Sequence, residues 1–183
     1  MAQSKVPEGN ESYFHDDPRK SSHVFDAELL TEPLDVLPVR PPVVFSPTAS
    51  VTAAMRAMQS EHRGCVVITE DGTLDSRLIG IFTERDVLNR VVDRGRNPAT
   101  LPLGEIMTAD PETVPSEATI ASVLNEMAVG GFRHVPVVDA GGRPVFVVSV
   151  RDVVQMLVEF FPTEILTLPP RHREGGVRTR EGA

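Results

Sequence analysis

The 183-residue chain contains no tryptophan, one tyrosine and one cysteine, and aromatic residues make up only 5% of it. A single thiol excludes an internal disulfide framework and a CxxC metal site, which fits a reducing compartment and leads us to expect a cytoplasmic protein. No apolar run approaches the roughly 20 residues a membrane helix needs. The opening MAQSKVPEGNESYF has neither a basic leader before an apolar stretch nor a cleavage pattern, so no membrane partner is expected. Cations are also in deficit: 18 Lys and Arg against 26 Asp and Glu leave a net charge of −8. That balance disfavours nucleic acid, whose affinity rests on clustered Lys and Arg. The phosphate loop GxxxxGK(S/T) and the HExxH, GxSxG and GxGxxG patterns are all missing, so the expectation is a protein that is not an enzyme. The five histidines (His15, His23, His62, His134, His172) are scattered without ligand spacing, and no metal site is expected. Cys65 lies in an apolar run and reads as a buried structural thiol.

What the chain does have is a repeat, which fixes architecture before anything else. Val51, Ala54, Met55 and Met58 recur as Ile120, Val123, Leu124 and Met127, each 69 positions later, and both sets have the i, i+3, i+4, i+7 spacing of one helix face. The same shift takes Leu34 to Leu103, Leu37 to Ile106 and Phe45 to Val114. A β-rich run follows in each copy, CVVIT at Cys65 to Thr69 and HVPVV at His134 to Val138. The next turn is three residues longer in the first copy, so the shift becomes 66 and takes Thr83 to Ser149, Asp86 to Asp152 and Val91 to Leu157. Each copy thus reads as strand, helix, strand, turn, strand, helix. A unit of about 60 residues is marginal alone, so the halves should pack on each other. The expected organisation is a polar lead-in (1–32), repeat 1 (33–94), a connector (95–102), repeat 2 (103–161) and a tail (162–183). Pro162 is expected to stop the last helix, and Leu166 and Leu168 to tuck the start of the Arg-rich tail against the body.

The sharpest local signal is a hydroxyl residue followed three positions later by aspartate where the last strand of each copy enters its helix: Thr83-Glu84-Arg85-Asp86 and Ser149-Val150-Arg151-Asp152. Such a pattern is close to a capping box, which helix starts use regardless of any ligand. It also suits an anion: Thr83 and Ser149 would add a donor to the free N–H groups at a helix start, where phosphate is favoured. Asp86 and Asp152 would accept from ribose hydroxyls, and Arg85 and Arg151 would neutralise phosphate.

GIFTERD (Gly80 to Asp86), GFRHVPVVD (Gly131 to Asp139) and VVSVRD (Val147 to Asp152), set in a tandem repeat from about Leu34 to Phe161, together resemble the CBS (cystathionine-beta-synthase-type) domain pair. The resemblance implies an α/β (α+β) fold of two β-α-β-β-α units related by a pseudo-twofold axis. It also implies a cleft that binds AMP, ADP, ATP or S-adenosylmethionine as a regulatory ligand, with no obligatory cofactor. Backbone groups at Val135, Pro136 and Val137 would contact adenine, Arg133 and His134 would lie near phosphates, and Ser149 and Asp152 would take phosphate or hydroxyl and ribose. Two departures stand out. The first copy has Gly64-Cys65-Val66-Val67 where the second has Arg133-His134-Val135-Pro136, and the second has Phe146, a ring that could occupy ligand space, where the first has Gly80.

The expected function is a sensor that binds an adenosine-containing nucleotide and signals to an effector protein through a conformational change. The alternative is a ligand-independent interaction module in which the two motifs only start helices and side chains such as Phe146 fill the cleft. Apolar surplus on the last helices, Val87 to Val92 and Val153 to Phe161, favours a homodimer.

Overall fold

The computed structural model describes residues 27–167; the acidic lead-in before them, and Leu168 with the Arg-rich tail, lie outside the described residues. Repeat 1 runs β1 (Val44–Phe45), α1 (Val51–Ser60), β2 (Cys65–Thr69), β3 (Leu78–Thr83) and α2 (Glu84–Asp86), which continues as a π-helix over Val87–Val92. After a 3-10 turn at Leu103–Glu105 comes β4 (Thr108–Ala109). Repeat 2 then runs β5 (Val114–Pro115), α3 (Ile120–Gly130), β6 (His134–Val138), β7 (Pro144–Ser149) and α4 (Val150–Phe160). A short α5 (Pro162–Leu166) closes the described chain.

The two sheets repeat one another. In the first, of order β1-β2-β3-β4, β1 is parallel to β2 and the remaining pairs are antiparallel. In the second, of order β5-β6-β7, β5 is parallel to β6 and β6 antiparallel to β7. Cys65 faces Thr83 in one ladder and His134 faces Ser149 in the other, the same pair carried by shifts of 69 and 66. α1 begins where Ser50 accepts a hydrogen bond from the Ala53 N–H at 3.2 Å. α3 ends at Gly131, which takes φ 70°, a left-handed cap that costs glycine nothing.

The lead segments of the two copies are exchanged. Leu34 and Leu37, fully or almost fully buried, join the core of repeat 2 with Ile120, Val123, Val135, Val137 and Met156. Leu103 and Ile106 join the core of repeat 1 with Val51, Ala54, Met58, Val66 and Phe82. The backbone bonds are exchanged in the same way: Pro33 bridges to Thr119 and Pro102 to Ser50, and the Ile120 N–H donates to Glu32 O as the Val51 N–H donates to Leu101 O. A third cluster, Cys65, Val67, Leu78, Ile81 and Val147, contains residues of both copies. Apolar burial of this kind, worth about 25 cal/mol per Å², ties two marginal units into one body.

Of two expectations at the end of the fold, the first holds and the second is corrected. Pro162 does end α4, but it also occupies the first turn of α5, where a missing N–H costs nothing. Leu166 does not tuck against the body, being 67% exposed.

Candidate functional site

Both hydroxyl-x-x-aspartate motifs form complete capping boxes. In repeat 1 the Thr83 N–H and hydroxyl donate to Asp86 Oδ2 at 2.9 and 2.7 Å, and the Asp86 N–H donates to Thr83 Oγ1 at 3.4 Å. In repeat 2 the Ser149 N–H and hydroxyl donate to Asp152 Oδ2 at 2.7 and 2.7 Å, and the Asp152 N–H donates to Ser149 Oγ at 3.4 Å. The next N–H in each copy is also bound, Glu84 to Gly64 O and Val150 to Arg133 O, both at 3.1 Å. The hydroxyl hydrogens expected to face phosphate therefore point at the carboxylates. Each aspartate keeps one further oxygen, Oδ1, and there the copies diverge. Asp86 Oδ1 is held by Arg90 Nε at 3.1 Å, whereas Asp152 Oδ1 has no hydrogen bond or ion pair among the described residues.

A cavity of about 1080 Å³ opens between the copies, with both motifs on its wall. Of the residues singled out in the sequence, Thr83, Arg85, Asp86, Arg133, His134, Pro136, Ser149, Arg151 and Asp152 line it. Val135 and Val137 do not. Strand alternation turns their side chains into the core of repeat 2, 1% and 0% exposed, while His134 and Pro136 face the cavity. The same alternation corrects the expectation for Phe146, whose ring packs on that core while its neighbours Val147 and Ser149 line the cavity. In repeat 1 the space beside Gly80 is taken by the Met107 side chain.

The cavity wall also holds residues that sequence reasoning missed: Arg40, Arg63, Cys65 and Arg90. Arg40, Arg63, Arg85, Arg90, Arg133 and Arg151 line it beside five carboxylates, Glu84, Asp86, Asp110, Glu112 and Asp152, so the wall carries both signs with a small excess of cations. Arg63 donates to Pro41 O at 3.0 Å, but its Nε is buried without a partner. Burial, and then the nearby Arg40, lower its pKa from the usual guanidinium value. Burial and Arg133 hold the His134 imidazole below its ordinary pKa, against the opposing charge of Asp152. The edge of that ring lies against Gly64, so closely that a Cβ there would come within 2.7 Å of Nε2. Burial pushes the Cys65 thiol up to about 12, which makes it a poor nucleophile. Among the described residues no group of three or more His, Cys, Asp or Glu is placed to hold a metal ion.

Comparison with known proteins gives this geometry a context. The CBS domain model matches residues 35–93 and 103–159, more than half of the chain. The CBS domain-containing protein CBSCBSPB1 of Arabidopsis thaliana is 34% identical over 62% of this chain, which spans only 20% of that relative. Among solved structures, a CBS domain protein from Pyrobaculum aerophilum complexed with AMP is similar with a TM-score of 0.59 and 27% identity, over 69% of this chain and 95% of that one. Hypoxic Response Protein I, with two coordinated zinc ions, is similar with a TM-score of 0.56 and 28% identity, over 66% and 94%.

Proposed function

We propose, from the premise that this chain belongs to the CBS domain family, that it is a regulatory module whose cleft binds an adenine nucleotide and passes the binding event to a partner protein. The observation that carries the reading is the convergence of both motif aspartates and six arginines on one cavity between the copies. A phosphorylated ligand suits that wall: arginine pairs with phosphate through charge-assisted hydrogen bonds, and the buried Arg63 Nε lacks an acceptor. The AMP held by the Pyrobaculum protein supports the choice of ligand class. The alternative of a side-chain-filled cleft loses its main support, because Phe146 packs on the core of repeat 2.

A ligand spanning the cleft acts only through different affinities for two arrangements of the halves. The proposed output is closure of the cleft, or tightening of a homodimer. Leu88, its repeat-2 counterpart Val154, and Val92 are more than half exposed and offer an apolar dimer surface.

The test is a thermal-shift panel with AMP, ADP, ATP, S-adenosylmethionine, NAD and GTP. A ligand at 100 times its Kd stabilises by about 2.7 kcal/mol, roughly 5 to 10 °C for a chain of this size. Shifts confined to adenine nucleotides are the expected result. No shift with any compound at millimolar concentration would return the reading to an interaction module.

A further inference from the structure

We infer that the two half-sites of the cleft are unequal, that Arg90 closes the first, and that the chain takes one nucleoside ligand, on Asp152. This rests on the adenine-nucleotide reading above and adds where and how many.

The duplicated motifs differ at one contact. Asp86 gives Oδ2 to its capping box, and Arg90 Nε stands 3.1 Å from Oδ1, so a ribose hydroxyl approaching that oxygen meets a guanidinium already paired with it. Arg90 is itself held at its other end. Nη1 donates to Ile106 O at 2.6 Å and Nη2 to Thr108 Oγ1 at 3.2 Å, which anchors the guanidinium to the segment joining the copies. A ligand hydroxyl at Asp86 must displace an ion pair and contend with a side chain pinned by two further bonds.

Repeat 2 lacks this device. The position equivalent to Arg90 is Met156, 66 residues on, and Met156 is 1% exposed in the core of repeat 2. The helix geometry explains how equivalent positions come to face opposite ways. α4 buries Val153 and Met156, three residues apart. In repeat 1 the π-helical turn over Val87–Val92 holds an extra residue per turn, and the buried position moves to Val91. Arg90 is thereby rotated out of the core, where its charge would be costly, to the cavity wall. Among the described residues Asp152 Oδ1 thus remains the one open motif acceptor, in a half-site that holds the Arg63 charge and the His134 ring nearby.

Titration calorimetry on the full chain with AMP, and separately with ATP, tests this. The wild type should bind one equivalent per chain. Asp152→Asn should weaken binding about 10- to 100-fold through loss of a charge-assisted acceptor. Arg90→Met, which installs the repeat-2 residue, should raise the stoichiometry to two. Arg90→Gln serves the same purpose should the methionine variant misfold, since it keeps a polar group at the cavity wall. Two equivalents in the wild type, a natively folded Arg90 variant that stays at one, or unchanged affinity in Asp152→Asn would each overturn the inference while leaving nucleotide binding intact. No heat with either nucleotide in any variant would instead refute the nucleotide reading, and this inference with it.

Discussion

Truncating Ile81 to alanine should loosen both repeats at once, although the residue belongs to only one. Ile81 is 7% exposed and packs in the cluster that contains residues of both copies; its pseudo-twofold mate, 66 residues on, is Val147 in the same cluster. Deleting a buried isoleucine side chain down to Cβ costs about 2–5 kcal/mol. Because Ile81 also lines the open cleft, part of the hole opens to solvent, and we place the cost near the lower end, about 2–3 kcal/mol. At roughly 2–4 °C per kcal/mol for a chain of this size, Tm should fall by about 5–10 °C. The loss is shared because each unit of about 60 residues is marginal alone. The exchanged lead segments place Leu34 and Leu37 in one core and Leu103 and Ile106 in the other, and the Leu78 N–H donates to Gly142 O at 2.9 Å across the copies. Unfolding should therefore be one transition. With no tryptophan to report it, circular dichroism in urea gives the midpoint and hydrogen exchange gives the location. Protection should drop by the same free energy in β6–β7 as in β2–β3. Peptides from β6–β7 that keep wild-type protection while β2–β3 loosens would refute the argument for a shared core.

Three further outcomes follow from the buried groups of the cleft. His134 is held below its ordinary pKa of 6.5, so the unfolded chain accepts a proton that the folded one refuses. Stability should then decline as pH falls through about 6.5, and His134→Gln should flatten the Tm-against-pH curve there, an unchanged slope counting against the assignment. A phosphate seated beside the ring would raise that pKa, so AMP binding near pH 6 should take up a proton, read as a buffer-dependent heat in calorimetry. Cys65, 7% exposed and with its thiol pushed up to about 12, should resist a thiol reagent at pH 8 in the native chain and react fully in urea; rapid native labelling would mean that β2 opens to solvent far more often than its packing implies.

Most of the fold was legible because the chain states it twice. The shifts of 69 and 66 carry one ladder onto the other, from Cys65–Thr83 to His134–Ser149, and both hydroxyl-x-x-aspartate pairs cap the helices their spacing predicts. The exchange of lead segments was not legible, for a reason that lies in the repetition itself. Leu34 and Leu103 fill equivalent positions in equivalent patterns, so periodicity says that each is buried but not in which copy. Phe146 was misplaced although the information was present: a strand that turns Ser149 and Val147 to the cleft must turn Phe146 the other way. Arg40 and Arg63 lie outside the repeated motifs and reach the cavity only through the tertiary fold.

The apparent choice between capping and ligand binding dissolves at atomic detail. A carboxylate has two oxygens, and in both copies the capping box uses only Oδ2. A motif that starts a helix is therefore also a binding motif wherever Oδ1 stays open, and the four-residue pattern cannot say whether it does. That depends on what lies one turn further along: Arg90 in the first copy, Met156 in the second. Arg90 meets Asp86 as an i,i+4 pair, while the π-turn moves the buried position of that helix to Val91 and leaves Arg90 on the cavity wall. Duplicated half-sites can thus keep equivalent capping boxes while one residue a turn further along decides which of them is open to a ligand.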